Sequence, residues 1–141
     1  MGLSLLEELE GNKTKVYKDS VGLLTVGVGH LVLPKDRLVL GQETTKEQDE
    51  DLLRGDLEGA EWSVNSAIKT ELTQKQFDAL VCLAFNIGCH AFENSTLVKE
   101  INIHASSTLI KHFWLAWDHA GGMFSASLEH RRTIEANLYG L

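Results

Sequence analysis

The sequence predicts an α+β fold in which a small N-terminal antiparallel sheet precedes a larger set of helices. Three observations carry that expectation. Between Glu10 and His30 the chain reads as a hairpin with a glycine-bearing turn, and apolar residues alternate on the way back. From Thr45 onward the apolar residues recur at helical intervals behind repeated N-cap signals. The chain has 141 residues, 43% of them hydrophobic, enough for one compact domain with a buried core.

Ser4-Leu5-Leu6-Glu7 reads as a capping box, and Gly11 can close the short helix in the left-handed conformation. Glu10 then falls at the helix C-terminus. The carbonyls there disfavour a negative charge, as the proton-holding form of a general acid requires. By itself Glu10 reads equally as a solvated glutamate beside a glycine cap. Asp19-Ser20-Val21-Gly22 fits a type I turn, with Asp19 accepting from the backbone. Alone, Asp19 would be a turn residue.

The returning strand, expected from Leu23 to His30, joins these two acids into a pattern. Alternation puts Thr25, Gly27 and Gly29 on one face and Val26 and Val28 on the other. Two glycines beside a threonine leave a strip without side chains, which marks close approach of a ligand or of another segment. Read as a ligand surface, it is the floor of a cleft reached by Glu10, Asp19 and Thr25. No third glycine follows to make a dinucleotide fingerprint.

The chain continues with a strand from residue 31, a turn near Pro34-Lys35-Asp36 and a return through Arg37-Leu38-Val39-Leu40, completing a three-stranded sheet. Thr45 caps a helix with Gln48 at N3, and Leu52, Leu53, Leu57, Ala60 and Val64 form its apolar stripe. The acids Glu47, Asp49, Glu50 and Asp51 read as a solvated outer face. Thr73 and Gln76 box the start of a central buried helix that stops near Asn86-Ile87-Gly88. Further helices are expected after a cap at Asn94 or Ser95, around 107–118 and from 127 to 139, with a break at Gly121-Gly122.

Composition removes several function classes. A net charge of −7 argues against nucleic acid as a partner. The longest apolar run, Ala79 to Phe85, is too short to span a bilayer, and no signal region opens the sequence. The expectation is a soluble protein made in the cytoplasm. Cys82 and Cys89, seven apart on or near one helix, stand about 10 Å apart and so beyond disulfide reach. The six histidines show no paired-ligand spacing, and a zinc site around Cys89 and His90 has little support, so no metal is expected.

Glu10-Gly11, Tyr17-Lys18-Asp19 and the run from Gly22 to His30 together resemble the phage-type lysozymes, the T4-like and lambdoid muramidases. Their pattern is a Glu, eight residues, an Asp, five residues, a Thr and then GxGH, and the spacing here matches it without a gap. FDALVCLAFNIG, AFENSTL, Trp117-Asp118-His119-Ala120-Gly121-Gly122 and Arg131-Arg132 have counterparts in the same order. The resemblance runs from about residue 3 to residue 140. It departs at His90, where glycine is usual, and at Ser125-Ala126-Ser127, which replaces a loop bearing proline and glycine. It departs again in helix 45–57, where acids stand in for common alanines.

The resemblance implies a lysozyme-like α+β fold in a single domain of residues 1–141. Its sheet-containing lobe covers about 1–58 and its helical lobe about 59–141, with a cleft between them. It implies an endolysin-type muramidase (EC 3.2.1.17) that cuts the β-1,4 bond between N-acetylmuramic acid and N-acetylglucosamine of bacterial peptidoglycan, with inversion and without a cofactor. Glu10 is then the general acid, and Asp19 with Thr25 places the attacking water. Leu31, Phe85 and Ser95 match positions that face the sugar chain, although Phe85 reads equally as core. Arg131 or Arg132 folding back toward Glu10 would favour its ionised form. A monomer is expected, released by a holin or held by an immunity protein. An antibacterial toxin domain with the same chemistry and a non-catalytic sugar-binding module on the same scaffold are the alternatives. A neighbouring inhibitor gene would point to the toxin, and loss of Glu10 or Asp19 to the binding module.

Overall fold

The computed structural model describes the backbone of residues 2–19 and 22–141, with side chains throughout those ranges except at 2–4 and 7. The elements run α1 (Gly2–Glu10), β1 (Lys13–Lys18), β2 (Leu24–Gly27), β3 (His30–Leu31), a 3-10 turn (Pro34–Asp36) and α2 (Lys46–Ala67). They continue with α3 (Gln74–Ile87), α4 (Cys89–Glu93), α5 (Thr96–Asn102), α6 (Ser107–Leu115), the pair β4 (His119–Ala120) and β5 (Met123–Phe124), and α7 (Ala126–Tyr139). The α+β class expected from the sequence is the class observed. Two compact units can be distinguished, residues 3–58 and 59–141. Among the described residues no helix is long and apolar enough to cross a membrane.

In the first unit, α1 begins at Gly2, ahead of the expected cap at Ser4. The Ser4 and Glu7 side chains on which that capping box rests lie outside the described residues. The helix ends as expected, at Glu10, with Gly11 at φ +71°. The sheet is antiparallel in the order β1-β2-β3, with Tyr17 opposite Thr25 and Val26 opposite His30. Val16, Val26, Val28 and Leu53 are buried here.

Two expectations fail in this unit. The strand does not run on from Leu23 to His30. It ends at Gly27, whose φ of +61° takes the chain out of the extended region, and Gly29 at φ +70° completes the turn into β3. The third strand is therefore His30–Leu31, and residues 37–40 form none. Arg37 closes the 3-10 turn in the left-handed region (φ +56°) and redirects the chain. The segment after it lies along β1 instead: Val16 N–H donates to Gln42 C=O (2.9 Å), Gly41 N–H to Val16 C=O (2.9 Å) and Thr44 N–H to Thr14 C=O (2.7 Å).

α2 opens on the expected reciprocal cap. Thr45 N–H donates to Gln48 Oε1 (2.9 Å), and Gln48 N–H to Thr45 Oγ1 (3.2 Å). Thr73 and Gln76 repeat the device at α3, while Ser95, Ser106 and Ser125 cap α5, α6 and α7. In the second unit α3 packs chiefly on α7, burying the run from Ala79 to Ala84. Cys82 is buried and Cys89 half-buried.

Two details of this unit were not foreseen. α4 restarts directly after Gly88 (φ +93°). The helix expected over 107–118 stops at Leu115, and Gly121-Gly122 (φ +58° and +78°) turns a short hairpin. Two successive positive φ values are what a tight two-residue hairpin turn requires.

Candidate active site

The first unit carries Glu10, Asp19 and Thr25. Glu10 is the last residue of α1, half-buried, and its carboxylate lies directly over Gly29. A Cβ on Gly29 would stand 3.2 Å from Glu10 Oε2. Glycine is favoured there by its φ of +70°, and a side chain would press the Glu10 carboxylate aside by a few tenths of an ångström.

Asp19 and Thr25 meet on one residue, Leu23. The Asp19 N–H donates to Leu23 C=O (2.9 Å), and Leu23 N–H donates back to Asp19 Oδ1 (2.9 Å). The Thr25 hydroxyl reaches the same Leu23 carbonyl at 3.3 Å. Gly22 N–H closes the turn on Asp19 C=O at 3.0 Å, and Gly22 takes φ +85°. The type I geometry expected there depends on Ser20 and Val21, which lie outside the described residues. Asp19 is half-buried, and Thr25 is only 7% exposed.

The glycine strip is not open ground. Gly27 faces the carboxylate of Asp49, whose Oδ1 would be 3.2 Å from a Cβ there, just as Gly29 faces Glu10. Asp49 is 2% exposed, which corrects the expectation that the acids of α2 form a solvated face; Glu47 and Asp51 do so. The missed signal was position. Asp49 lies four residues before Leu53, on the buried stripe.

His30 ends the same loop and is 6% exposed. Its Nδ1 lies 2.8 Å from Asp56 Oδ2, and its Nε2 lies 2.8 Å from Asp36 Oδ2. The Asp56 hydrogen bond, helped by Asp36, raises the imidazole pKa above its usual value even though burial opposes it. Burial pushes Asp36 up, but bonds from His30 and from Leu33 N–H (2.7 Å) hold its carboxyl below the usual range. Sequence patterning offered His30 only as the end of a motif, without its two acids.

Leu31 is exposed on β3. In the second unit, Phe85 is half-buried on α3. Ser95 is buried at the head of α5, its hydroxyl donating to Phe92 C=O (2.7 Å) and accepting from Val98 N–H (3.2 Å). Arg131 Nε and Arg132 Nη1 each lie 3.0 Å from the Glu135 carboxylate, which also accepts from Trp114 Nε1 (3.1 Å). Arg131 Nη2 donates to Cys82 C=O (3.2 Å), and Arg132 Nη2 to Asn86 Oδ1. Burial raises the Glu135 pKa even though both arginines pull it down.

The fold is that of the lysozymes. It superposes on an endolysin from Escherichia coli O157:H7 phage FAHEc1 with a TM-score of 0.89 and 34% identity, covering 99% of this chain and 90% of the other. The muramidase domain of SpmX from Asticaccaulis excentricus gives 0.86 at 31% identity, covering 99% and 95%. In sequence, the endolysin of Salmonella phage P22 is 36% identical over 136 residues, 96% of this chain and 92% of that one. The class defined is the lysozyme-type glycoside hydrolases. The chain belongs to the phage lysozyme family, whose model matches residues 7–135.

Proposed function

We propose that this protein is an endolysin-type muramidase. It hydrolyses the β-1,4 bond between N-acetylmuramic acid and N-acetylglucosamine of bacterial peptidoglycan as a single monomeric domain of residues 1–141. The observation that carries the reading is the fit of Glu10 to Gly29, with Asp19 and Thr25 fastened to the one residue Leu23. Family membership supports the reaction class.

Glycoside hydrolysis needs a proton on the leaving oxygen and a second carboxylate at the oxocarbenium-like centre. Glu10 donates its proton to the glycosidic oxygen as the C1–O bond breaks. Asp19 takes a proton from a water whose oxygen forms the new bond to C1, and the Thr25 hydroxyl orients that water. Attack from the face opposite the leaving group inverts the anomeric centre. Leu31 and Phe85 are assigned to the sugar path, and Ser95 acts through the α4–α5 corner that its hydroxyl fastens. The wall is reached after holin-dependent release.

The test is release of reducing ends from purified peptidoglycan by wild type and by Glu10→Gln. Nuclear magnetic resonance of the first-formed anomer decides between inversion and retention. Equal turnover by the two proteins would remove Glu10 from the chemistry, and a retained anomer would remove the direct attack of water.

A further inference from the structure

Asp49 is a buried carboxylate that the proposed reaction does not use. Its Oδ1 accepts a 2.6 Å hydrogen bond from the Thr44 hydroxyl, which also reaches Thr14 C=O at 3.1 Å. Its Oδ2 is buried and has no hydrogen-bond partner among the described residues. Leaving a desolvated carboxylate oxygen unpaired opposes folding, so its presence calls for a reason.

The reason lies on the other side of the same group. The Asp49 carboxylate fills the space beside Gly27, with Oδ1, Cβ and Cγ all 3.2–3.3 Å from where a Cβ on Gly27 would be. Two residues along, the Glu10 carboxylate fills the matching space beside Gly29. The loop Gly27-Val28-Gly29 is thus held between two carboxylates. One of them stands in the first turn of α2 and is tied through Thr44 to β1.

We infer that Asp49 is a positioning residue for the general acid. It holds the left-handed loop from the Gly27 side, and so fixes the Gly29 backbone against which the Glu10 carboxylate rests. Val28 buries the loop's one side chain, but the two glycines that flank it have none, and each could otherwise sample several backbone wells. A short hydrogen bond from a hydroxyl to a carboxylate supplies a directional tie that an apolar side chain of the same size cannot. The inference rests on the role of Glu10 proposed above.

The experiment compares Asp49→Ala and Asp49→Asn with wild type and Glu10→Gln in the reducing-end assay. Asn keeps the size and the acceptor facing Thr44, whereas Ala removes both. Asp49→Ala is expected to lower kcat about tenfold or more with KM within about twofold, because a misplaced acid is felt in the transition state. Asp49→Asn should keep kcat within about threefold. In substrate-free protein, the Gly29 amide resonance should shift in Asp49→Ala and return in Asp49→Asn.

A folded Asp49→Ala with wild-type kcat and an unmoved Gly29 resonance overturns the inference. So does an equal loss of kcat in Asp49→Asn, which would make the charge and not the contact the cause. If Asp49→Ala does not fold, Asp49→Ser takes its place with the same expected and overturning results. If Glu10→Gln keeps full activity, the acid assignment falls, while the Gly29 resonance still decides whether Asp49 holds the loop.

Discussion

Glu10 and Gly29 are fitted to each other so closely that a methyl group on Gly29 would stand 3.2 Å from Glu10 Oε2. The last residue of the first helix thus stands beside the loop of the β2–β3 hairpin. Gly29 also holds φ +70°, which a side chain disfavours whatever space is available.

Gly29→Ala should therefore act on stability and on turnover together. The left-handed backbone costs about 1–2 kcal/mol for an L-residue, and the new methyl displaces the carboxylate. Urea unfolding should show that loss, and peptidoglycan hydrolysis should fall by about tenfold or more. A variant that loses stability but keeps full turnover would show that the seat of Glu10 does not matter to the chemistry.

Glu10→Gln keeps the size of the side chain and removes its proton-donating ability. Hydrolysis should drop by at least about 10²-fold, the usual contribution of general acid catalysis, while circular dichroism and the unfolding midpoint stay near wild type.

Thr25→Val tests the water assignment. Valine keeps the β-branched shape preferred in a strand but deletes the hydroxyl that reaches Leu23 C=O. Loss of one such contact should cost about 1–2 kcal/mol. Turnover should fall by more than that, because the attacking water is no longer placed. Near-normal specific activity of the folded fraction would leave Thr25 as a packing residue, in keeping with its 7% exposure.

The His30 cluster predicts how stability depends on pH. His30 titrates above its usual 6.5 in the folded protein, so its contribution is complete below that value and is lost as pH rises through the raised one. Asp36 titrates below its usual 3.8, so its contribution is present above that value and is lost as pH falls through the lowered one. The cluster should therefore stabilise most between about pH 4 and pH 6.5. Thermal midpoints across pH 3 to 9 should peak there in wild type, and His30→Gln should flatten the decline on the alkaline side.

Glu135 gives the corresponding test in the helical unit. It is fully buried and shared by Arg131, Arg132 and Trp114. Glu135→Gln keeps an acceptor for Trp114 but takes the shared charge from two buried guanidinium groups. Breaking a buried pair from one side typically costs about 3–5 kcal/mol, which urea unfolding would register. A loss below about 1 kcal/mol would mean that the arginines' other contacts suffice.

Much of the helical architecture was legible because its signals are local. Thr45 with Gln48, Thr73 with Gln76 and Ser95 each start a helix through a side chain bonding a backbone N–H three residues on. That geometry is set within one turn of chain. Gly11 ended α1 for the same kind of reason. The hairpin at Gly121-Gly122 was read only as a break, since paired glycines announce a turn and leave open what flanks it.

By itself the sequence determined the α+β class, the spacing of Glu10, Asp19 and Thr25, and the caps at Thr45, Thr73 and Ser95, which rest on neighbours within one turn of chain. Only the tertiary structure decided where β2 stops, because alternation looks the same on either side of a glycine that turns left-handed. It decided that residues 41–44, and not 37–40, lie along β1. It put Asp49 against Gly27, and Asp56 on a histidine 26 residues away. Carboxylates carry no periodic signature of burial. Whether one faces water or a glycine depends on which distant backbone packs over it, and that is settled only when the segments meet.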